Sequence, residues 1–113
     1  MRGEIWWVHF PFDPPDKHRP AVIVSPNARN SHPRALSVLA VPLSTSIHNL
    51  APTHMLLRSG ETGLREDSVA WSENIGTVTR DQLKGPIAGH RPLTDTKVCS
   101  VAALVKIAMG CVE

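Results

Sequence analysis

Residues 16–26 read DKHRPAVIVSP, and they set Asp16, Lys17, His18 and Arg19 directly against a run of β-branched residues. Valine and isoleucine fit a pleated surface, so Ala21 to Ser25 is expected to be a strand. Upstream, Glu4 to Phe10 (EIWWVHF) has the same character and is stopped by prolines at 11, 14 and 15, which makes the two segments neighbouring strands joined by a proline-rich loop. Downstream, Leu36 to Leu43 and Thr53 to Arg58 are further strands around the polar stretch STSIHNLAP, and SGETG makes a turn. Ser68 to Trp71 and Ile75 to Thr79 complete a series of five or six short strands with turn signals at regular spacing, the pattern of a small barrel or sandwich.

The tail has a different period. In LTDTKVCSVAALVKIAMG, Val98, Val101, Ala102, Val105 and Met109 recur at intervals of three and four, with Thr94 as N-cap and Gly110 as stop, which predicts one amphipathic helix. The expected fold class is therefore mainly β with a C-terminal α-helix, in a single domain over residues 1–113.

Composition narrows the function classes. Hydrophobic residues at 42% and charged ones at 19% describe a chain that folds on a core. A net charge of +2 is compatible with a polyanionic partner but is far from that of a polybasic binder, so charge alone does not choose. Neither a signal-peptide pattern nor an 18-residue apolar run occurs, and the expectation is a cytoplasmic chain without a membrane partner. Cys99 and Cys111, twelve positions apart around a helix, would stand about 18 Å apart, too far for a disulfide. The six histidines form no HxxxH or HxH pair and there is no CxxC, so no metal is expected. The glycines make no GxGxxG or GxxxxGK, so no nucleotide cofactor is expected, and GxSxG is absent.

Two loops remain as carriers of chemistry. DPPDKHRP holds Asp13, Asp16, Lys17, His18 and Arg19, and VPLSTS holds Ser44, Thr45 and Ser46. If the strands flanking them pair antiparallel, the start of one lies beside the end of the other and Arg19 comes close to Ser44. A guanidinium is a permanently charged fork of donors, suited to the phosphorane formed when an internal hydroxyl attacks a phosphodiester, and a serine hydroxyl adds one more hydrogen bond. That combination describes RNA cleavage by the substrate's own 2′-OH. The plainer alternatives are a surface arginine paired with Asp13 or Asp16 and a polar turn at 44–46. His18, an imidazole, is of a residue type that suits proton transfer. Trp6 and Trp7 must point to opposite faces of their strand, one into the core and the other to an interface or stacking platform.

Taken in order, RGEIWWVHF, HRPAVIVSP, VPLSTS and SVAWSENI, followed by a helical tail, resemble the MazF/PemK family of toxin endoribonucleases across nearly the whole chain. The resemblance implies an SH3-like barrel of the CcdB/MazF type with a C-terminal helix, a homodimer, and a cognate antitoxin that covers the RNA groove. It also implies metal-independent, sequence-specific cleavage of single-stranded RNA to a 2′,3′-cyclic phosphate. Arg19 matches the family's catalytic arginine, and Ser44 stands where the family has a catalytic threonine. Serine lacks the methyl group that restricts its rotamer, so either Ser44 or Thr45 supplies the hydroxyl. Asn74 matches an amide-bearing position near the RNA, while Asp16, Lys17, His18 and Ser46 complete the implied RNA-binding set. His9 departs from the aspartate that relatives often carry, and the first loop is short. Two rivals share the fold: a non-catalytic, gyrase-directed toxin, and a degenerate member that only binds antitoxin.

Overall fold

The computed structural model describes residues 1–47, 50–87 and 91–111. Its strands are β1 (Ile5–Val8), β2 (Arg19–Ile23), β3 (Ser37–Ser44), β4 (His54–Leu57), β5 (Ser68–Trp71), β6 (Gly76–Thr79) and β7 (Leu83–Lys84). The helices are α1 (Asn27–Asn30), α2 (Ser59–Thr62) and α3 (Asp95–Ala108). The strands form one antiparallel sheet in the order β4-β5-β3-β2-β1-β7, with β6 also paired to β3.

β3 is the hub. Its first half, Ser37 to Ala40, pairs with β6, and its last residues, Leu43 and Ser44, pair with β5. On its other edge Ala40 to Pro42 pair with β2. Changing partner midway bends the sheet around two sets of buried side chains, because alternate residues of a strand point to opposite faces. Ile5, Val22, Val41, Leu43 and Leu57 pack with Leu93, Val98 and Val101 from the C-terminal region. Val8, Phe10, Ala21, Ile23, Val38, Ala40 and Val78 form the other set, with Trp6 and Leu83 against it. Trp6 is thus the core-facing member of its pair, and Trp7 is 41% exposed. The β-rich fold with a C-terminal helix forms as expected. Among the described residues β4 and β7 remain unpaired edges, so the sheet is not closed and "barrel" describes it only loosely.

Several details differ from the sequence expectation, among them the short elements α1 and β7, which it did not include. β2 begins at Arg19, two residues before the apolar run, because Arg19 pairs with Val8 of β1, and β3 extends to Ser44, which pairs with Val69 of β5. The residues assigned to loops are thus the last rungs of ladders. The expected SGETG turn contains the single helical turn α2, ended by Gly63 at φ 78°. In α3, capped by a hydrogen bond from the Lys97 N–H to the Thr94 side chain, only Val98 and Val101 are buried. Ala102 is exposed and Met109 is 70% exposed, which corrects the expected apolar face: the helix lies on β4 and the 72–74 turn with its first half and leaves them behind.

Candidate active site

The β2–β3 ladder ends at Ala21 and Pro42; Arg19 stands two residues before Ala21 on β2 and Ser44 two residues after Pro42 on β3. Directly opposed residues share a face, as do residues two apart on one strand. Ser44 opposes Val69, and Trp71 follows two positions later on β5, so Arg19, Ser44 and Trp71 belong to one face of the sheet.

The Arg19 guanidinium is held on one edge by a carboxylate and lies over two aromatic rings. Nε donates to Asp13 Oδ2 at 2.8 Å and Nη2 donates to Oδ1 at 2.7 Å, a bidentate pair whose side chains are 13% and 5% exposed. This bond holds the Asp13 carboxyl below its ordinary value of 3.8, against the opposing effect of burial. The loop is braced for it by the Asp13 N–H, which donates to Phe10 O at 3.0 Å. Phe12 lies 5.4 Å from the guanidinium carbon on one ring contact, and Trp71 lies 5.3 Å away on another. Phe12 also stacks on Phe10 at 5.2 Å, and Trp71 neighbours His54 at 6.3 Å, so five planar groups run in series with Arg19 at the centre.

Beyond Trp71 stands a second polar group. His54 Nδ1 accepts from the Ala51 N–H at 3.2 Å, which places the neutral ring's proton on Nε2. Nε2 then donates to Glu73 Oε1 at 3.0 Å, and Thr53 Oγ1 donates to the other carboxylate oxygen. Glu73 and Asn74 line an open pocket of about 430 Å³ together with Phe10, Phe12 and Thr77. Asn74 therefore sits beside the ring that covers Arg19.

The other candidates separate. Thr45 is exposed and lines a different groove, of about 580 Å³, with Trp7, Pro20, Leu64 and Ile87. Ser44 Oγ accepts from the Ser46 N–H at 3.2 Å, so Ser46 braces the hydroxyl through its backbone. Asp16 and Lys17 are exposed at the loop, and the carboxylate on Arg19 is Asp13 rather than Asp16. His9 Nδ1 donates to Lys17 O at 2.9 Å, and the His18 ring lies 6.0 Å from that of His9. Among the described residues no three His, Cys, Asp or Glu side chains gather in one place. Sequence reasoning passed over Phe12, Trp71, His54 and Glu73. The only signal was their position, aromatic in FPFD and in SVAW, next to segments already singled out.

A carboxylate-gripped arginine fork and a strand-end hydroxyl on an open antiparallel sheet with a C-terminal helix agree with what the whole chain matches. It belongs to the PemK-like, MazF-like toxin family of type II toxin–antitoxin systems, whose model matches residues 1–109. It is 34% identical over 94 residues to the endoribonuclease MazF9 of Mycobacterium tuberculosis, covering 76% of this chain and 78% of that one. The chain is thus a MazF-like toxin and a homologue of an endoribonuclease. Its fold is that of the Mycobacterium tuberculosis toxin MazF-mt6, with a TM-score of 0.74 at 21% identity over 95% of this chain and 96% of that one. A mycobacterial endoribonuclease solved in complex with its cognate antitoxin superposes with a TM-score of 0.70 at 25% identity, covering 97% and 94%.

Proposed function

We propose that this toxin is a metal-independent endoribonuclease that cuts single-stranded RNA at short sequence motifs. The substrate's 2′-oxygen attacks phosphorus, the bond to the 5′-oxygen breaks, and a 2′,3′-cyclic phosphate and a 5′-hydroxyl end result. Arg19 stabilises the charge that builds on the phosphorane, and Ser44 adds a hydrogen bond from the same face. The observation that supports this reading is the Arg19 side chain, 13% exposed and gripped in a bidentate pair by Asp13, on the same sheet face as Ser44. Asn74 reads a base edge in the adjoining pocket, and Lys17 and His18, exposed or half-exposed on the loop, hold the RNA backbone. The partners are a cognate antitoxin, as in the solved mycobacterial complex, and a second copy of the chain. The protein acts in the cytoplasm, in keeping with the absence, among the described residues, of any helix long and apolar enough to cross a membrane.

The test is to incubate purified protein with a long RNA in EDTA and map the ends and their phosphate chemistry. Cleavage to cyclic-phosphate ends is expected, with Arg19→Ala slower by about a hundredfold or more and Ser44→Ala losing more activity than Thr45→Val. Intact RNA, or cleavage unchanged by Arg19→Ala, rejects the reading. Gyrase trapped on DNA with messenger RNA unbroken would select the gyrase-directed rival.

A further inference from the structure

We propose that Asp13, with Phe12 and Trp71, is a positioning device that turns Arg19 into a fixed phosphate fork presenting its Nη1–Nη2 edge. The inference rests on the reading of Arg19 as the phosphate-facing group. An arginine has five N–H donors in one plane. Asp13 takes one from Nε and one from Nη2, both on the same edge of the guanidinium. Three remain, two of them on Nη1, which has no hydrogen-bond partner among the described residues. One N–H of Nη1 and the remaining N–H of Nη2 lie along the terminal edge, the geometry that meets two non-bridging phosphate oxygens side by side.

A free arginine has rotamer entropy to lose before it can make those two bonds. Here the loss has already occurred in folding. Asp13 fixes the direction of the fork, and Phe12 and Trp71, from separate segments, each make a cation–π contact with it that restrains it further. The side chain is 13% exposed, so what solvent and substrate meet is a small part of the group rather than a swinging cation. A pair that only stabilised the fold would have no need of the aromatic faces. A pair that blocked the active site would occupy the terminal edge, and Asp13 occupies the other one.

This predicts that Asp13 acts through Arg19 and nowhere else. The experiment is a double-mutant cycle on the full-length protein, using an oligoribonucleotide that spans one mapped cleavage site, at a temperature where melting curves show every variant folded. Asp13→Asn keeps the side chain's size and one acceptor but removes the charge and the bidentate acceptor. It is expected to lower kcat about ten- to a hundredfold, as small misplacements of a reacting group do, with KM changed by less than about threefold. Asp13→Glu recovers part of the loss, and Trp71→Leu or Phe12→Leu lowers kcat by a smaller factor. In an Arg19→Lys background, where there is no fork to orient, Asp13→Asn costs little or nothing more. Wild-type kcat in Asp13→Asn, an increase in it, or an equal loss in both backgrounds overturns the proposal while leaving the nuclease reading intact. Failure of the wild-type protein to cut the RNA overturns both.

Discussion

At Arg19 a desolvation cost is met by geometry. A guanidinium or a carboxylate withdrawn alone from water is expensive, and a bidentate pair offsets that cost only when both ions are well placed. The 2.8 and 2.7 Å bonds and the two flanking rings meet that condition. Because the native Asp13 carboxyl titrates below 3.8, the unfolded chain takes up this proton first as the solution is acidified. The pair's contribution to stability is therefore complete above that ordinary value and is lost as pH falls through the lower native one. Glu61 and Asp67 shift the same way, chiefly through backbone N–H bonds from Arg58 and Ser59. Asp13→Asn should accordingly be less stable at neutral pH. Its melting temperature should fall less steeply than wild type's between pH about 5 and about 2, and calorimetry across that range checks it. Parallel curves would mean that Asp13 contributes nothing to acid sensitivity. Arg19 could be singled out from its neighbours in the chain, a permanent charge at a strand start. Its partners could not: Asp13 and Asp16 are equally near in sequence, and Trp71 reaches it only through the β3–β5 ladder.

Among the elements, length decided what could be anticipated. The strands carry their own signal in alternating apolar residues, and Ser68–Trp71 matches its expected bounds. A single helical turn such as α1 or α2 has no periodic face and little intrinsic stability, so it exists only where the surroundings order it. The N-terminal turn shows how such ordering works. Gly3 donates to Ile23 O at 2.7 Å and accepts from the Leu93 N–H at 2.9 Å, tying β2 to the segment that leads into α3. Its φ is +84°, and a Cβ there would stand 2.4 Å from Leu93 O. Gly3→Ala should therefore lose about 2 kcal/mol or more in urea unfolding. Gly60 in α2 has open space around its Cβ position, and Gly60→Ala should gain up to about 1 kcal/mol. Equal effects at the two glycines would show that the close approach at Gly3 is not what constrains it.

At the scale of the molecule, the second half of α3 has too little to rest on. Ile107 is 41% exposed and Met109 70%, at the end of a helix whose first half is sealed against the sheet by Val98 and Val101. Covering such surface is the usual reason for a symmetric pair. Sedimentation at micromolar concentration should give a species of about twice the 12.3 kDa chain, and Ile107→Glu with Met109→Glu should shift it towards monomer. A wild-type protein that sediments only at 12.3 kDa would reject the dimer.

The amino-acid sequence by itself determined the first six strands, the C-terminal helix and that Arg19 and Ser44 stand at the same end of neighbouring strands. Each follows from a short-range period or from the rule that antiparallel neighbours run in opposite directions. It also carried the family likeness, which lies in the order of its segments. The tertiary structure alone decided that Asp13 rather than Asp16 grips Arg19, that Ser44 and Thr45 line different surfaces, and that Phe12 and Trp71 lie against the guanidinium. Those outcomes depend on where a bent sheet brings distant segments together, and no local pattern of residues encodes a distance across space.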